Sequence, residues 1–105
     1  MSKTKSLATM KINGSDYSIR ATEHALLRMK QRDVDEYVIS GSILSLGKEK
    51  LLDYQDRSAD VMIIDEIRKI STVFGFKGNK IQIVTVIDKD DIWIKTNTEI
   101  ARIGD

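Results

Sequence analysis

Apolar residues recur at two different periods along the chain, and the change from one to the other divides it. In "LATMKINGSDYSIRA" two short alternating segments flank Asn13-Gly14. That dipeptide readily takes the positive φ angles of a type I′ turn, so the chain is expected to open with a β-hairpin. From Ala21 the spacing becomes helical: Ala21, Ala25 and Met29, with Leu26, form one stripe, and Thr22 supplies a hydroxyl cap for a helix over residues 23–32. Asp33 followed by Glu36 reads as an Asp form of the capping box. Val34, Tyr37 and Val38 then give a second short helix its buried side, and Gly41 stops it.

After Gly41 the alternation of β-strands takes over. "SILSL" and "KLLDY", either side of Gly47-Lys48, read as strands, although "EKLLDYQDR" also fits a helical turn. "DVMII" follows, then "RKISTVFGF" and "KIQIVTVID" joined by the turn "KGN", then "DIWIK" after the charged turn "DKDD". Successive strands with short turns imply an antiparallel sheet with both helices on one face, an α+β fold. "KTNTE" reads as an exposed tail. No proline, linker or repeat divides the 105 residues, so residues 1–105 form a single domain.

Composition narrows the chemistry. There is no cysteine, which removes disulfides, thiolate nucleophiles and Cys-based zinc sites and suits a reducing cytoplasm. One histidine does not make a metal site, so no metal or other cofactor is expected. "MSKTKSLATM" lacks a signal-peptide core, and no run approaches the roughly 20 apolar residues that span a bilayer, so no membrane role is expected. The net charge is only +1, but it is unevenly spread. Residues 1–32 carry seven basic and two acidic side chains, residues 33–66 three and nine, and residues 67–105 seven and five. A basic stretch can attract phosphates even when the total is near zero.

The sole histidine lies in the basic stretch. On a helix starting at Glu23, His24, Arg28 and Arg32 are four apart and share one flank, opposite the apolar stripe. Cleaving RNA without a metal needs a base for the 2′-hydroxyl proton, an acid for the leaving oxygen, and cations for the developing phosphorane charge. An imidazole and a guanidinium that can grip two phosphate oxygens supply part of that set. The same row also reads as a solvated face whose arginine stems cover apolar surface. Thr85 is expected to share a strand face with Ile81, Ile83 and Ile87; where that face meets the helix, its hydroxyl can orient His24 or bind phosphate. Lys95 and Thr96 are further phosphate contacts, and Trp93 is either a base-stacking platform or sheet packing. Gly75 and Gly78 lack the following helix that a phosphate-binding loop requires.

The stretch "HALLRMKQRDVDEYVISGSI" resembles the opening of a domain-of-unknown-function family of small bacterial and phage proteins, whose first helix reads His-Ala-x-x-Arg-Met. "VTVID" resembles that family's penultimate strand, and the likeness covers residues 20 to 96. Such domains are similar to the barnase, EndoU, colicin and RelE ribonuclease superfamily. The resemblance implies a RelE/EndoU-like helical pair on a curved antiparallel sheet, with His24, Arg28 and Thr85 as catalytic residues. It also implies a metal-independent endoribonuclease acting on RNA as a toxin-like or phage-borne effector, held in check by a neutralising antitoxin. A competing expectation is a non-catalytic inhibitor that engages a host protein through acidic residues 49–66, notably Asp53, Asp56 and Asp60. With no proline to protect an outer strand, a homodimer is a third expectation.

Overall fold

A computed structural model describes residues 4–87 and 98–103. Strands β1 (Thr4–Ile12) and β2 (Ser15–Thr22) form the expected hairpin. Its turn is built from Asn13 (φ 51°) and Gly14 (φ 83°), the positive pair that a tight hairpin demands. Three helices follow: α1 (Glu23–Gln31), α2 (Glu36–Leu44) and α3 (Lys48–Asp56). The chain then runs through β3 (Asp60–Asp65), β4 (Ile70–Lys77) and β5 (Lys80–Ile87), and ends in β6 (Thr98–Ile103).

The segment after Arg32 departs from expectation. Asp33 takes φ 55°, and the cap of α2 is Asp35, whose carboxylate accepts from the Tyr37 amide at 2.8 Å. Tyr37 is 80 % exposed rather than buried; the helix buries Ile39 and Ile43 instead, four apart across Gly41. Gly41 therefore lies inside α2, and "SILSL" is the end of that helix and the turn after it rather than a strand. The chain turns at Gly47 (φ 90°), which opens α3. "KLLDY" lies within α3 and buries Leu51 and Tyr54 three apart, so the helical alternative holds there.

The sheet is mixed, not antiparallel, with order β1-β2-β5-β4-β3-β6. Strands β3, β4 and β5 form the expected meander, but β2 pairs with β5 in parallel and β6 pairs with β3 in parallel. The reason is the helical stretch: three helices carry the chain from β2 to the far side of the sheet, so β3 does not join its predecessor. Strand β6 lies in "TEIARI" and takes in Thr98 and Glu99 of "KTNTE", where an exposed tail was expected, and "DIWIK" lies outside the described residues. The core is one layer between helices and sheet, built on Ile19, Ile63, Phe74, Ile81 and Ile83 with Ala25, Met29, Ile39, Ile43 and Leu51. Strand β3 is buried on both faces, since Met62 and Ile64 are also covered; this accounts for its unbroken apolar run. No helix among the described residues is long and apolar enough to cross a membrane.

Gly41 and Gly47 offer a direct check of this segment. Nothing lies within 4 Å of a Cβ added at Gly41, which has ordinary helical backbone. Gly41→Ala is expected to raise stability by about 1 kcal/mol in urea unfolding, and Gly47→Ala to lower it. A loss of stability in Gly41→Ala would show that the helix ends there.

Candidate functional site

Helix α1 is set by its two ends and its apolar stripe. The Thr22 hydroxyl oxygen accepts from the Ala25 amide at 3.1 Å, and the same hydroxyl donates to the Val84 carbonyl at 3.3 Å, tying the helix start to β5. Ala25 and Met29 are buried against β2 and β5. That rotation places His24 outward in the first turn, with Arg28, partly buried, on the same flank one turn later. Neither joins any hydrogen bond or ion pair among the described residues. Arg32 closes the row as the C-cap, its amide donating to the Arg28 carbonyl at 2.9 Å. The structure thus brings His24, Arg28 and Arg32 onto one helix as expected, and their outward side can meet a phosphate chain.

Thr85 is not on the face expected. Phe74 opposes Ile83 and Val73 opposes Thr85, so Val84 is an extra residue, a bulge in β5. Beyond a bulge the alternation of faces inverts. Val86, not Ile87, continues the buried row of Ile81 and Ile83, and Thr85 falls on the reverse face with Val73, away from α1. Trp93, Lys95 and Thr96 lie outside the described residues.

The acidic stretch is partly spent on internal partners. Arg57 pairs with Asp53 at 2.8 Å and with Glu99 at 3.0 Å while lying over the Tyr54 ring, and Arg102 pairs with Glu66 at 3.0 Å. Burial, with Glu99 nearby, pushes the Tyr54 hydroxyl up. Asp56 and Asp60 remain exposed. No group of carboxylates and histidine among the described residues is arranged to hold a metal.

A second concave feature escaped the sequence reading. A groove of about 350 Å³ runs between α2 and the β3–β4 turn, with Tyr37, Gly41, Ser42 and Ser45 on one wall and Arg68 and Ile103 on the other. Its fixed point is Asp65, 2 % exposed, which accepts from the amides of Ile67 and Arg68 at 3.1 and 3.0 Å and from the Arg68 guanidinium at 3.0 Å. Tyr37 was hidden by its assignment to a buried helix side. The signal for Arg68 was an aspartate ending a strand, ready to close a turn on the two amides that follow it.

Comparison of the chain with protein-family models, with curated proteins and with solved structures finds no match.

Burial would raise the Asp65 pKa, but the Arg68 amide, its guanidinium and the Ile67 amide outweigh it and hold the carboxyl below the usual carboxylate range. The stability it contributes is therefore complete above its unfolded value of about 3.9 and is lost as pH falls through the lower folded value. Asp65→Ala is expected to cost about 1–3 kcal/mol at neutral pH, by the bonds it orphans, with the gap from wild type closing below about pH 4. A gap that stays constant into acid would contradict the assignment.

Proposed function

We propose that the protein is a metal-independent endoribonuclease of the toxin-like kind, working from the outer flank of α1, and that its fold belongs with the RelE/EndoU-like domains. The observation that carries the reading is the outward His24 and Arg28, one turn apart and without a partner among the described residues, on a helix anchored to the sheet. A solvated structural face would as readily hold these cations in ion pairs, as happens to Arg57 and Arg102. Helices α1 and α2, two of the three beside the sheet, fit the resemblance of "HALLRMKQRDVDEYVISGSI" to the ribonuclease-like family. The partial neutralisation of the acidic stretch favours this reading over an acidic inhibitor.

In this scheme the His24 imidazole takes the proton from a ribose 2′-hydroxyl. The freed oxygen bonds to the adjacent phosphorus, the bond to the 5′-oxygen breaks, and that oxygen leaves with the proton returned by the imidazolium. The products are a cyclic phosphate and a 5′-hydroxyl. Arg28 neutralises the non-bridging oxygens as charge builds, and Arg32 would guide a flanking phosphate. Thr85 takes no part, because its face of β5 is turned from the helix. The reading goes with a cytoplasmic setting and a neutralising protein partner.

Purified protein is expected to cut a fluorophore-labelled RNA in the presence of chelator, with His24→Ala lowering the rate by about a hundredfold or more at unchanged unfolding midpoint. Intact RNA with wild-type protein at micromolar concentration would end the proposal.

A further inference from the structure

We infer that the groove between α2 and the β3–β4 turn is a binding site for a single nucleotide, with its base on Tyr37 and its phosphate on Arg68. The inference stands apart from the α1 reading and uses none of its residues.

Four observations converge. The volume, about 350 Å³, lies within the usual range for small-ligand sites. At its mouth Tyr37 is 80 % exposed in the first turn of a helix, where an aromatic ring gains nothing from burial but is free to stack on a base. Across from it Arg68 gives one guanidinium nitrogen to a buried carboxylate, which fixes the group while its other donors stay without a partner among the described residues. Two of those donors can meet a phosphate in the forked geometry that a guanidinium favours. The Asp65 charge behind it is enclosed and satisfied by three donors, so it opposes the anion only weakly.

The fourth observation separates a nucleotide from a peptide. Ser42 donates its hydroxyl proton to the Val38 carbonyl at 2.9 Å, and Ser45 donates to the Ser42 carbonyl at 2.6 Å. Their oxygens are left as acceptors, suited to ribose hydroxyls or an exocyclic amine. The wall that carries them is a helix, whose backbone amides are already paired, so it offers an extended peptide no strand edge to join; among the described residues the outer strand β6 reaches the groove only at its last residue, Ile103. Between the two, Gly41 has open space where a side chain would stand.

The test is a titration of isotopically labelled protein with adenosine monophosphate, adenosine and inorganic phosphate, read by amide correlation spectra. Adenosine monophosphate is expected to shift the amides of Gly41, Ser42, Ser45 and Arg68 with Kd of about 1 mM. Tyr37→Ala should weaken both adenosine and its monophosphate about tenfold, and Arg68→Gln should weaken the monophosphate alone. Gly41→Leu fills the groove with a better helix former, so binding should be lost while the fold is kept. No shifts up to about 10 mM monophosphate would overturn the inference. Shifts confined to α1 would do the same while leaving the nuclease reading intact. An acidic aromatic dipeptide binding as tightly as the nucleotide would reassign the groove to a peptide.

Discussion

The parallel pairing of β2 with β5 is the contact on which the remainder of the molecule depends. Among the described residues the N-terminal hairpin and the β3–β5 meander meet only there in the sheet, over the register from Ser18 opposite Lys80 to Ala21 opposite Ile83. A parallel pair cannot be closed by a short turn, so its cost in loop closure has to be met by contacts elsewhere. Three are in place. Isoleucines 19, 81 and 83 and Ala21 are fully buried in the seam. Ala25 and Met29 lay α1 across it, held at its start by Thr22 on the Val84 carbonyl. Gln55 of α3 accepts from the Tyr17 hydroxyl at 2.6 Å and donates to the Gly78 carbonyl at 2.9 Å, joining the hairpin to the β4–β5 turn.

Both candidate sites follow from that arrangement. With Ala25 and Met29 facing the sheet, helical geometry leaves His24 and Arg28 outside, and no separate device is needed to expose them. Likewise, Ile39 and Ile43 turn α2 so that Tyr37, Gly41 and Ser45 form an outer flank near the β3–β4 turn. His24, Arg28 and Tyr37 therefore sit on helices whose buried halves are fixed by packing, which is how a surface group keeps its position, while Arg68 is held in its turn by Asp65.

How much of this was legible in the sequence depended on whether the signal was local. The Asn13-Gly14 turn, the Thr22 cap and the Ala25–Met29 stripe are local devices, and each stands where the residues put it. The second helix after Asp33 and the helical alternative for "EKLLDYQDR" stand, but the stop at Gly41 and the strands beyond it do not, because glycine in a helix interior looks like a stop and because short apolar segments fit either period. Ile39 with Ile43, and Leu51 with Tyr54, were the helical spacings that decide it. The parallel pairings have no local signature at all, since they follow from where three helices deposit β3. The Val84 bulge was equally silent, and it alone moved Thr85 to the other face. The site row on α1 was readable because it uses helix spacing; the groove was not, because Arg68 and Tyr37 are brought together from 31 residues apart.

The most direct measurement of the central pairing is a nuclear Overhauser spectrum of methyl-labelled protein. The account predicts cross-strand contacts from Ile19 to Ile81 and from Ala21 to Ile83, the register of a parallel β2–β5 pair. Contacts running in the opposite sense, or none between the hairpin and β5, would contradict it and remove the platform on which α1 is placed.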